Sequence, residues 1–124
     1  MTTFPEGALM TRGGREDGRV VNLPMETTTI GRLPFNDVVI DDSSVSRQHA
    51  AVRGDSEGYW VHDQDSSNGT FVNGERLGTE RRQLSDKDDI SLGGLDDPFY
   101  WEFTYSQTTR SMSIAQRRRA AVGP

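Results

Sequence analysis

Apolar and polar positions alternate along this chain in short runs, and no run carries the period of an amphipathic helix. β-branched and aromatic residues gather in segments that glycine, proline, asparagine and aspartate interrupt. The strands predicted are 7–12, 19–23, 27–30, 38–40, 49–53, 59–63, 70–72, 75–77, 83–84, 89–92 and 99–105. Polar turns separate them, such as Gly13-Gly14-Arg15-Glu16-Asp17-Gly18 and Gly54-Asp55-Ser56-Glu57-Gly58. Glycine in such turns supplies positive φ at no steric cost. Asn73-Gly74, between Thr70-Phe71-Val72 and Glu75-Arg76-Leu77, is the strongest short hairpin signal. About eleven short strands at close spacing predict an all-β fold, a two-sheet β-sandwich of mostly antiparallel strands.

Composition narrows this to one small domain. A chain of 124 residues with 32% hydrophobic residues can bury a single core, which must use nearly every apolar residue in the middle. The ends are therefore expected to be disordered: residues 1–6, which show no periodicity, and a basic tail or linker at 106–124, with the folded domain at 7–105. Ser113 to Ala121 has helix formers, but Arg117-Arg118-Arg119 leaves it no apolar face. Without cysteine there is neither a disulfide framework nor a thiolate metal site. No apolar run is long enough to cross a bilayer, and the first residues lack the regions of a signal peptide. A cytoplasmic location is the expectation.

Charge is unevenly spread. Residues 1–109 carry all 19 acidic side chains and 10 of the 14 basic ones, a net −9; residues 110–124 carry four arginines and no acid. An acidic body argues against a face for duplex DNA. It leaves phosphate binding open, because a few aligned donors decide that locally.

Three motifs stand out between Ile30 and Gly74. They are Gly31-Arg32, then Ser46-Arg47-Gln48-His49, then Asn68-Gly69-Thr70-Phe71-Val72-Asn73-Gly74. Each lies beside a turn. In this order and spacing they resemble the forkhead-associated (FHA) domain, a reader of phosphothreonine peptides, over roughly Val20 to Thr104. The resemblance implies an eleven-stranded β-sandwich that binds phosphothreonine in partners phosphorylated by a Ser/Thr kinase. No cofactor, metal, nucleic acid or membrane is expected.

The residues take their roles in that frame. Arg32 has a planar fork that matches phosphate oxygens; taken alone, it reads as a surface ion pair with Asp41 or Asp42. Gly31 allows close backbone approach. The resemblance makes Ser46 a phosphate ligand, Arg47 a second basic contact, and Asn68 the amide that bonds the peptide backbone, with Ser67 adding a phosphate contact. It makes His49 structural, bracing the loop that presents Ser46. Gly69 is expected to take positive φ, and Asn73 to fix a turn.

Other readings are weighed against these. Ser46, His49 and Asp63 can be drawn as a catalytic triad, but the strained nucleophile elbow and its glycine-rich surroundings are missing. The Asp86-Lys87-Asp88-Asp89 turn lacks the ligand spacing of a calcium loop. The arginine tail leaves open a structural or nucleic-acid-associated adaptor. The loop Asp41-Asp42-Ser43-Ser44-Val45 contains no arginine, which leaves a preference for an acidic residue three positions after phosphothreonine in doubt. Thr2, Thr3, Thr108 and Thr109 lie outside the predicted strands, where phosphorylation would make a tethered ligand for the same site.

Overall fold

A computed structural model describes residues 2–14, 17–95 and 100–110. Eleven strands follow one another: β1 (Thr2–Arg12), β2 (Val20–Leu23), β3 (Thr27–Gly31), β4 (Val38–Val39), β5 (Ala50–Asp55), β6 (Gly58–Asp63), β7 (Thr70–Val72), β8 (Glu75–Arg76), β9 (Arg82–Gln83), β10 (Asp89–Leu92) and β11 (Tyr100–Arg110). They form a six-stranded sheet in the order β2-β1-β11-β10-β7-β8 and a five-stranded sheet in the order β4-β3-β5-β6-β9. The pairings are antiparallel except that of β3 with β4, which is parallel. The expected all-β sandwich is the fold found.

Alternation along the strands builds the core. Trp101 and Phe103 on β11, Ile90 and Leu92 on β10, and Val72 on β7 are buried in one sheet; Ile30, Val52, Tyr59 and Val61 are buried in the other. Successive strand side chains point to opposite faces, so one face of each sheet supplies the core. Tyr59 ties the layers together. Its hydroxyl donates to the Leu23 carbonyl at 2.9 Å and accepts from the Gly7 N–H at 3.2 Å. Its ring meets Phe103 edge-on at 5.6 Å.

The ends differ from the sequence expectation. β1 begins at Thr2, where disorder was expected through residue 6, and β11 runs on to Arg110 rather than stopping at 105. The two strands pair over their whole length, from Arg12↔Tyr100 to Thr2↔Arg110. Each terminal segment is short and polar when read by itself; the ladder between them satisfies backbone groups that neither could satisfy alone. Pro5 is tolerated because β2 pairs only with Gly7–Met10, leaving Pro5 on an open edge. Thr2, Thr3, Thr108 and Thr109 therefore belong to a paired ribbon, which corrects their placement outside the strands. A tethered ligand would first have to unpair. The arginine tail, and the helix-forming stretch within it, lie outside the described residues.

Candidate functional site

Four connections meet at one end of the sandwich: 32–37, 40–49, 64–69 and the segment after β10. Gly31 starts the site. A Cβ there would collide with the Arg47 carbonyl and come within 2.7 Å of Asn36 Nδ2. The buried Asn36 amide explains this crowding, since Nδ2 donates to the carbonyls of Leu33 and Arg47, both at 2.8 Å. Sequence reading missed Asn36, because a loop asparagine is an ordinary turn former.

Arg32 is fixed at its base and free at its tip. Its backbone N–H donates to the Ser46 carbonyl at 3.0 Å, and its Nε donates to the Val45 carbonyl at 3.0 Å. Neither terminal nitrogen has a bond among the described residues, and no ion pair with Asp41 or Asp42 forms. Asp42 is occupied locally. Its carboxylate accepts from the Ser44 hydroxyl (2.6 Å) and N–H (2.9 Å), and these bonds hold it below its usual range.

Ser46 links two loops. Its Oγ accepts the Ser67 N–H at 3.1 Å, leaving the hydroxyl proton available to a ligand. His49 is fully buried, and both ring nitrogens are engaged. Nδ1 accepts the Ser46 N–H at 3.1 Å, so Nε2 carries the proton and donates to the Gly69 carbonyl at 2.8 Å. The Gly69 carbonyl also accepts the Gly93 N–H at 2.9 Å. His49 thus joins the Ser46 loop to the turn at Gly69, which has φ of 91°.

Asn68 is exposed, and its Nδ2 donates to the Ser44 carbonyl at 2.7 Å. One amide proton and the side-chain oxygen remain for a ligand. Two glycines hold it from behind. A Cβ at Gly93 would run into the Asn68 carbonyl, and one at Gly94 would come within 2.6 Å of Nδ2. The guanidinium of Arg47 is exposed and unbonded among the described residues. The Ser67 hydroxyl is likewise unbonded.

Asp63 does not join a triad. Its Oδ1 accepts from the hydroxyls of Ser66 (2.5 Å) and Thr70 (2.6 Å), and its Oδ2 accepts the Ser66 N–H at 2.9 Å. Burial pushes this carboxyl up, but the Ser66 and Thr70 bonds outweigh it and hold it below its usual range. Ser66 Oγ then accepts the Gly69 N–H at 3.0 Å. The Asp63-x-x-Ser66 spacing is a legible turn signal, because short polar side chains bond nearby backbone. Asn73 sits away from this cluster. Its amide donates to Asp88 at 3.0 Å and accepts the Asp89 N–H at 2.9 Å, locking the β7–β8 turn to β10. Among the described residues no group of His, Cys, Asp or Glu could hold a metal ion, and no helix is long and apolar enough to cross a membrane.

A sandwich whose loops at one end present guanidinium, hydroxyl and amide groups in fixed positions is a β-sandwich recognition module. The FHA domain family model matches residues 28–93. An oxoglutarate dehydrogenase inhibitor of Corynebacterium jeikeium is 41% identical over 92 residues, covering 73% of this chain and 62% of that protein. The glycogen accumulation regulator GarA of Mycolicibacterium smegmatis is 35% identical over 92 residues, covering 73% and 57%. The structure of Mycobacterium tuberculosis EmbR in complex with a low-affinity phosphopeptide superimposes with a TM-score of 0.70 at 33% identity, over 86% of this chain and 26% of that one. The chain belongs to the FHA domain family.

Proposed function

We propose that this chain is a non-enzymatic module that binds phosphothreonine in an extended peptide of a partner protein, and that it acts in Ser/Thr kinase signalling in the cytoplasm. One observation carries the reading. Arg32 is anchored by the Val45 and Ser46 carbonyls and has no carboxylate partner among the described residues, which leaves its terminal nitrogens to an anion beside the Ser46 hydroxyl. A phosphothreonine brings a charge of about −1.5 to −2 near neutral pH and three acceptor oxygens.

Arg32 takes the phosphate bidentately, with Arg47 adding charge and the hydroxyls of Ser46 and Ser67 completing its bonds. Asn68 holds the peptide backbone through its free amide proton and oxygen. Gly31, His49 and Gly69 keep these groups in register, and Asn73 steadies β7 from its other end. Partners are phosphothreonine-containing proteins, including a Ser/Thr kinase or its substrates. The EmbR complex, named for its phosphopeptide, supports this assignment.

The test is a calorimetric titration of one peptide in three forms: phosphothreonine, phosphoserine and unphosphorylated. Binding is expected for the phosphothreonine form and absent for the unphosphorylated one. A niche for the threonine methyl is worth about 1–3 kcal/mol, which sets the expected margin over phosphoserine. Equal binding of the unphosphorylated peptide would remove the reading.

A further inference from the structure

Several arginines among the described residues are engaged by neighbouring side chains. Arg12 pairs with Glu102 and Arg82 with Glu75. Arg53 donates to the Thr27 hydroxyl, and Arg81 lies 3.8 Å over the Trp60 ring. Arg32, Arg47 and Arg76 form no ion pair among the described residues, although the body around them is strongly acidic. The first two belong to the site already described. Arg76 is the third.

Its position follows from the edge of the six-stranded sheet. Arg76 on β8 pairs with Phe71 on β7, and the Leu77 N–H donates to the Thr70 carbonyl at 2.8 Å. This draws the end of β8 against the start of β7, beside Gly69. The Arg76 side chain then lies across that glycine. A Cβ at Gly69 would meet Nε at 2.6 Å and Cζ at 3.0 Å. The guanidinium is therefore held over the residue that follows Asn68, and it is exposed.

We propose that Arg76 is a specificity-determining residue that selects peptides with an aspartate or glutamate about two to four residues from the phosphothreonine. The inference rests on the reading of Arg32, Ser46 and Asn68 as the phosphopeptide site. Consecutive α-carbons lie about 3.8 Å apart, and an extended peptide advances about 3.3 Å per residue. A peptide whose backbone is held at Asn68 thus reaches the Arg76 guanidinium within a few residues of the phosphate. The carboxylate faces a cation that has no ion-pair partner among the described residues. A peptide with lysine there meets repulsion, and a neutral one gains nothing. The 41–45 loop offers no arginine for this purpose; β8 supplies the cation from another element.

The experiment is a fluorescence-anisotropy scan of phosphothreonine peptides in an alanine background, with one aspartate moved from four residues before the phosphothreonine to four after. Wild type, Arg76→Gln and Arg76→Glu are compared at low salt. An exposed ion pair predicts an aspartate preference of about 2- to 5-fold at one or two adjacent positions. That preference disappears in Arg76→Gln and turns into a lysine preference in Arg76→Glu, while the all-alanine phosphopeptide binds all three proteins alike apart from the small long-range effect of charge. Arg76→Met keeps the stem over Gly69 and serves as the variant if Arg76→Gln does not fold. A flat scan on wild type, with the all-alanine phosphopeptide still bound, overturns the role of Arg76 and leaves the site standing. A preference that survives in Arg76→Gln also overturns it. Failure of wild type to bind any phosphothreonine peptide removes the site and this inference together.

Discussion

Arg32 and His49 act through different physics, and substitution separates them. Arg32→Ala removes the free fork but only one internal bond, from Nε to Val45. A hydrogen bond to a charged group is worth about 1.5–3 kcal/mol, so each one lost lowers affinity roughly ten- to a hundredfold. Calorimetry on Arg32→Ala is expected to show no measurable phosphopeptide binding at an unchanged melting temperature; wild-type affinity would refute the assignment. His49→Ala should lower stability and affinity together. It opens a cavity and strips the Ser46 N–H of its acceptor, whereas the Gly69 carbonyl keeps its bond from Gly93. A buried donor left unmet costs about 1–3 kcal/mol and a part-buried one such as this N–H less; a melting temperature equal to wild type would contradict the bracing role. Arg32, Ser46, His49 and Asn68 were legible because each lies in a spaced motif. Asn36, Gly93 and Gly94 were not, because their importance comes from backbone that only the folded chain brings against them.

At the scale of elements, the 64–69 loop hangs on one carboxylate. Asp63 takes both Ser66 bonds and the Thr70 hydroxyl, and Ser66 in turn holds the Gly69 N–H. Its folded pKa lies below the usual carboxylate value of about 3.9, so its stabilisation is fully present above that value and is lost as pH falls through the folded pKa. Wild type should therefore melt higher than Asp63→Asn at pH 7, with the gap closing below about pH 4. A gap that persists unchanged at pH 3 would show that the carboxylate charge is not what holds the loop. Peptide affinity changes between pH 5 and 7 have another origin, since the phosphate itself titrates with a second pKa of about 6. The strands that carry these loops were read closely from the sequence, to within a residue or two. The edge strand β8 was read as a strand, but its reach toward Gly69 depends on pairing that one segment cannot reveal.

For the whole molecule, the register of β1 and β11 sets an axis. Arg12↔Tyr100 lies toward the binding loops, and Thr2↔Arg110 lies at the far end. The ribbon beyond Gly7↔Tyr105 leaves the sandwich as two strands only, and a lone two-stranded ribbon is marginally stable in water. A chain trimmed to residues 6–106 should bind phosphopeptide as tightly as the full chain, with little change in melting temperature. Weaker binding by the trimmed chain would show that the far end communicates with the loops. The ribbon is not legible in the sequence, because no single segment carries its signal and its pairing joins residues a hundred or more positions apart.

That axis has a consequence for engineering. Facing residues of an antiparallel pair have α-carbons about 4.5–5.5 Å apart, so the chain enters at Thr2 and leaves at Arg110 almost at the same point. The fold can be spliced into a surface turn of a host protein without stretching either, with its recognition loops pointing away from the splice. Closing Arg110 onto Thr2 with a short turn and opening the chain at Asp55–Glu57 would give a circular permutant with the same recognition surface.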